Sequence, residues 1–264
     1  MQELMKQTNL LVLWHPETIL LTVLGMVSYF IIIGPLRTYF PNGNSVSVGQ
    51  RTAFVSALMV MYVALGTPVA FFGDRYSFTV FVLQTILLMQ VMPWLILLGL
   101  PSWLLQPVFK VPWIRRTLRV GTYPIFTCSI FGISSTVLFI PAVFSLYLHL
   151  NWFHILYQLI LFISSILLWW PLFSPVMEYP RLTPGRQLLY LLYASGVTMP
   201  INVLILIAQK PWYLVYQHAS QVLSLSPLGD QQRGGLLMFV GMIVIYGAMG
   251  VKAFWAFDGH HWGE

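Results

Sequence analysis

The stretch Asn151–Pro171, NWFHILYQLILFISSILLWWP, carries no charge and is almost unbroken in its hydrophobicity. A helix rises ~1.5 Å per residue, so a run of this length crosses the ~30 Å hydrocarbon core of a bilayer. Water is absent there, and a spanning chain satisfies its backbone polar groups only in a helix or a closed barrel. Membrane-spanning helices are therefore the first constraint on the fold. Polar residues recur in the stretch at helical spacing: His154, Gln158 and Ser165, with His154 and Gln158 four apart on one face. Trp169-Trp170-Pro171 closes the run where an aromatic belt belongs. Lipid cannot solvate an imidazole, so His154 needs a partner from elsewhere in the chain.

The rest of the chain repeats the pattern. Of its 264 residues 58% are hydrophobic and only 8% charged, against about a quarter charged in a soluble domain, and the mean hydropathy is +0.78. The apolar runs predict an all-α, polytopic membrane bundle, a single seven-helix transmembrane domain over residues 1–264. Its spans fall at about 18–36, 52–72, 77–100, 120–147, 152–171, 187–208 and 234–257. The first run is too long for a secretory leader and lacks a basic start and a small-residue cleavage site, so it is expected to remain as the first span. Gly66-Thr67-Pro68 predicts a kink in the second span, and Gly73-Asp74-Arg75 a tight turn after it. Pro93 falls inside the third span, and Pro124 and Pro141 trim the overlong fourth.

Thirteen Lys and Arg stand against seven Asp and Glu. The excess sits in short loops, so it reads as a topology signal and as contact with anionic lipid, not as a nucleic-acid surface. Arg37, Arg51, Lys110, Arg115, Arg116, Arg119, Arg181, Arg186 and Lys252 fall on one side; Lys6, Arg75, Lys210 and Arg233 fall on the other. The imbalance predicts an extracytoplasmic amino terminus and a cytoplasmic carboxyl terminus in the plasma membrane. His15, Asp74, His149, His154, His218 and Asp230 then lie at the extracytoplasmic end, and His260 and His261 inside. The lone Cys128 forms no internal disulfide, and no paired-cysteine metal motif exists. There is no phosphate-cradling glycine loop, no His-Glu-x-x-His, no nucleophile elbow and no charged pair deep in a span. These absences argue against a hydrolase, an ATP-driven pump or a charge-coupled carrier, and the chain is expected not to be an enzyme.

Imidazole suits copper, zinc and iron, and thioether selects copper(I). His149 and His154 flank one turn and are placed to converge with Asp74 or Asp230 across the bundle. Met238 and Met242, one helical turn apart, begin the last span near the same end. Gly234-Gly235 before them permits close helix approach. The candidate metal residues are therefore His154, His149, Met238, Met242 and Asp230, with copper as the ion. Each has a plainer reading: methionine fills gaps, Asp230 caps a helix start or pairs with Arg233, and an interfacial histidine bonds to headgroups. Met89 and Met92 in the third span read as packing before relay, and Ser195, Thr198 and Asn202 in the sixth as ties between helices.

One set of motifs, taken in order, resembles a known family: Leu65-Gly66-Thr67-Pro68, Gln84, Met92-Pro93 through Leu98-Gly99-Leu100-Pro101, His154 with Trp169-Trp170-Pro171, and Asp230-Gln231-Gln232 with Gly234-Gly235 and Met238. Each is weak alone, but their order and spacing from Trp14 to the last span are similar to the CtaG family of cytochrome c oxidase assembly factors, the multi-span family and not the single-span copper chaperone of that name. The resemblance implies seven helices and a role in maturing a haem–copper oxidase, with copper delivery as the expected service. It also implies cytochrome c oxidase subunits and membrane lipid as partners, with self-association as a homo-oligomer left open. This chain departs from the family's pattern at Phe81, Thr85 and Gln158, where histidines are expected. Two other functions fit the same residues. One is a channel or carrier for copper or a small solute along the methionine and polar faces. The other is a haem- or quinone-binding redox module, which the gathering of histidines at one end disfavours.

Overall fold

The structure, a computed structural model, describes residues 14–109, 111, 123–176, 181–217 and 226–261. Lys6, Lys110, Arg115, Arg116, Arg119 and His218 lie outside the described residues, as do the side chains of His260 and His261.

Helices start and stop where backbone chemistry requires. Helix α1 spans Pro16–Ile33, with Pro16 in its first turn. Helix α2, Val48–Gly66, opens on a reciprocal capping box between Ser47 and Gln50. It ends at Thr67-Pro68, as the Gly-Thr-Pro run predicts, because Pro68 has no N–H to continue the ladder. Thr67 then caps a second helix, α3, Pro68–Arg75. The expected tight turn at Gly73-Asp74-Arg75 is instead the last turn of α3, and the chain reverses at Tyr76-Ser77. The glycine suits the helix because its missing side chain admits Phe81, whose main chain lies 3.1 Å from where a Cβ would sit.

Helix α4, Phe78–Gly99, is the third span. It contains a π-helical turn at Leu87–Val91, directly ahead of Pro93. A proline ring crowds the carbonyl four residues back and offers it no donor, and a wide turn accommodates both defects. Helix α5, Ser102–Phe109, follows. The predicted fourth span is two helices, α6 (Pro124–Leu138) and α7 (Pro141–His149), bent 78° at Phe139-Ile140. Pro141 breaks the ladder there, and Tyr213 Oη donates to the buried Phe139 carbonyl at 2.9 Å. Helix α8 is the opening stretch, Asn151–Phe173; helix α9 runs Pro184–Leu206 and helix α10 runs Pro227–His261. α10 therefore begins a full two turns before the predicted start of the last span, which brings Asp230 into its first turn.

Six helices have the length and hydropathy of membrane spans, and the bent α6–α7 pair, a broken span or a re-entrant loop, brings the number to seven if it counts as one span. No strand occurs among the described residues. α4 packs against α2, α8 and α10; α6 bridges α8 and α9; and α9 against α10 is the most extensive pair. α4, α8, α6, α9 and α10 thus close a ring, with the α1–α2 hairpin outside it. Glycines set the closest approaches. A Cβ at Gly99 would lie 2.7 Å from the Phe54 backbone, and one at Gly235 would lie 2.6 Å from the Leu206 nitrogen. Leu20, Leu21, Ile155, Leu189 and Leu192 point outward, as lipid-facing residues do.

Candidate functional site

The end of the bundle where α3, α4, α8 and α10 come together holds Asp74, His154 and Asp230. Asp230 is the most heavily engaged. It is buried, and its carboxylate accepts from Ser77 Oγ at 2.9 Å, the Phe78 N–H at 2.6 Å, the Thr79 N–H at 3.3 Å and Thr79 Oγ1 at 2.6 Å. Thr79 Oγ1 also reaches the Asp230 carbonyl at 2.9 Å. A helix start leaves its first N–H groups unpaired and carries partial positive charge, so an anion there satisfies both. Asp230 does cap a helix, but the helix is α4, not its own. Its neighbours tie α10 down in the same way. Gln231 Oε1 accepts the Trp212 N–H at 2.6 Å, and Gln232 Nε2 donates to the Ala208 carbonyl at 3.0 Å. Three successive side chains therefore bind the α10 start to the head of α4 and to two points on the connection after α9. Gly234 completes the joint, since a Cβ there would lie 2.4 Å from the Phe78 ring.

His154 lies near but apart. With Asp74, Arg75, Asn151 and Ile155 it lines an open pocket of about 440 Å³, and its ring stacks on Tyr147 at 4.2 Å between centroids. Of the two acids expected across the bundle, the structure brings Asp74 to His154 and gives Asp230 to the helix cap. Asp74 Oδ1 is buried without a hydrogen-bond partner among the described residues. Burial raises the Asp74 carboxyl above its ordinary value, opposed by the charges of His154, His15 and Arg75. Tyr216, whose Oη donates to the Gly73 carbonyl at 2.7 Å, joins the two acid positions. Burial first, then Asp74 and Asp230, push its phenol up.

His149 is exposed, and its Nδ1 lies 2.7 Å from the Ser145 carbonyl one turn back; it does not share the His154 pocket. Phe81, where the resemblance expects histidine, is buried against Phe144 and Tyr147 at 4.9 and 5.8 Å between centroids. The aromatic chain Phe81–Tyr147–His154 thus fills space that further imidazoles would need. Among the described residues no three His, Cys, Asp or Glu side chains are grouped to hold a metal ion.

Met238 and Met242 are elsewhere. They line a cavity of about 70 Å³ between α4, α6, α9 and α10, together with Met89, Gln90, Thr198 and Asn202. The Met242 sulfur accepts from Thr198 Oγ1 at 3.4 Å and Asn202 Nδ2 at 3.9 Å, so these two residues tie α9 to α10 through a thioether. Sequence spacing pairs Met89 with Met92; the structure pairs Met89 with the methionines of α10 instead. Met89 lies on the same stripe of α4 as Val82, Thr85 and Ile86, which also line the cavity, so ordinary helical spacing carried the signal for that meeting.

The fold and these joints define a multi-pass α-helical membrane protein in which the side chains of residues 230–232 rivet the start of α10 to its neighbours. Among such proteins, the chain matches the cytochrome c oxidase caa3 assembly factor family (Caa3_CtaG) over residues 27–257, and it belongs to that family. No curated protein and no solved structure matches it.

Proposed function

We propose that the chain assists the maturation of a haem–copper cytochrome c oxidase in the cell membrane by aiding copper delivery at the extracytoplasmic face, without catalysing a reaction itself. The amino terminus faces outward and the carboxyl terminus the cytoplasm. The partner is an oxidase subunit held alongside in the bilayer. One observation carries this reading: Asp74, Arg75, Asn151 and His154 share an open pocket in a bundle otherwise poor in charge. An intramembrane or interfacial ionisable group is costly to keep unless it serves a function. His154 is the imidazole offered there. Asp230 supports it indirectly by fixing the start of α4, four residues beyond Asp74.

The test is a deletion strain scored for active oxidase and for oxidase-bound copper, complemented with wild type and with His154→Ala. Loss of active oxidase on deletion, with rescue by wild type and impaired rescue by His154→Ala at equal protein level, is the expected result. Normal oxidase activity in the deletion strain overturns the assembly role.

A further inference from the structure

The cavity inside the ring brings together soft donors from two helices. Met89 comes from the π-turn of α4, and Met238 and Met242 from successive turns of α10. We propose that this cavity is an internal copper(I) station, with the three thioethers as ligands; it rests on the copper-delivery reading above and adds a site distinct from the His154 pocket. The lining contains no charged side chain. A divalent ion stripped of water there would lack any compensating carboxylate, whereas a monovalent soft ion is satisfied by neutral sulfur. Thr198 and Asn202 lie 3.4 and 3.9 Å from the Met242 sulfur; copper(I) takes a sulfur lone pair in place of one of these contacts, and the Thr198 hydroxyl keeps the Ala194 carbonyl at 3.0 Å. Gln90 contributes a second sign of a cationic occupant. Its Nε2 donates to Tyr246 Oη at 3.4 Å, while its Oε1 is buried with no partner among the described residues. An acceptor oxygen left bare at a thioether-lined cavity suits a cation or its water.

Size and depth agree. About 70 Å³ admits a bare ion and a few waters, far below the several hundred Å³ of pockets for haem- or quinone-sized ligands. Along α10 the two methionines lie about 12–18 Å from Asp230 at ~1.5 Å per residue, near mid-depth of a ~30 Å hydrocarbon core. Plain packing is the rival explanation, because methionine fills gaps in any core.

The two are separated by anaerobic titration of the full chain in lipid nanodiscs with copper(I), against a chromophoric copper(I) chelator. X-ray absorption then reads the ligand atoms. The station predicts one copper(I) per chain in a sulfur-dominated shell. It predicts at least tenfold weaker binding in each of Met89→Leu, Met238→Leu and Met242→Leu, and no change in Gly196→Ala, which lies in neither site. Leucine nearly conserves volume, and thermal melting of each variant confirms folding. No copper(I) retained by wild type, or a nitrogen-dominated shell, overturns the proposal. So does binding unchanged in folded methionine variants. A deletion strain with normal oxidase beside a sulfur-bound copper(I) defeats the assembly role and leaves the station standing; the opposite pair of results does the reverse.

Discussion

Asp230→Ala removes the carboxylate that caps α4 from the far side of the chain. The substitution leaves the Phe78 and Thr79 N–H groups without their acceptor, and these are the first two donors of the helix. Ser77 keeps its bond from the Val80 N–H, and Thr79 Oγ1 keeps the residue-230 carbonyl, so neither hydroxyl is wholly orphaned. Bonds to a charged acceptor are worth about 1.5–3 kcal/mol each, and an unsatisfied buried donor costs a similar amount. Two lost main-chain bonds therefore predict a destabilisation of about 3–6 kcal/mol. That exceeds the ~1 kcal/mol of an ordinary surface cap, because the site is buried and the anion serves a helix dipole as well. Asp230→Asn, which keeps one acceptor oxygen and loses the charge, should fall between wild type and alanine. Reversible unfolding of the protein in bicelles by graded SDS measures the difference. A loss below about 1 kcal/mol for Asp230→Ala would show that the α4 start is held by something else, and the riveting argument built on residues 230–232 would fail with it.

Two further outcomes follow from the same geometry. Gly235→Ala drives a methyl to within 2.6 Å of the Leu206 backbone nitrogen, whereas a Cβ at Gly196 meets nothing within 4 Å; the first should cost about 1–3 kcal/mol and the second should gain about 0.5–1 kcal/mol from helix propensity, read as opposite shifts in melting temperature. Asp74→Asn should raise the melting temperature at neutral pH. The folded chain binds the Asp74 proton more tightly than the unfolded chain, whose carboxyl titrates near 3.8, so the wild-type residue loses stability as pH rises above that value. The advantage of asparagine should therefore shrink as the pH is lowered toward 3.8, and a pH-independent difference would contradict the buried, proton-favouring setting.

The hydropathy of the chain determines its class. Runs such as Asn151–Pro171 must be helices in lipid because no other open-chain structure pairs every backbone group. The break at Pro68 was equally legible, since a missing N–H acts within one helical turn of its own position, whereas the π-turn ahead of Pro93 and the 78° bend at Pro141, which the sequence suggested only as a trim, came from the structure. Which side chains meet was not legible. Asp230 was readable as a cap or as a ligand, and only the packing of α10 on α4 shows whose helix it caps, across more than 150 residues of sequence. His154 needed a partner, yet the choice of Asp74 over Asp230 depends on how α3 and α8 are turned about their axes. Met89 faces Met238 and Met242 because the Val82–Thr85–Ile86–Met89 stripe of α4 packs on α10, where glycines let the two helices come close. A bilayer demands apolar helices almost regardless of which neighbours they take, so local sequence specifies the rods; the rotation of each rod is set by steric fit and buried hydrogen bonds to distant segments, and only the assembled bundle contains those.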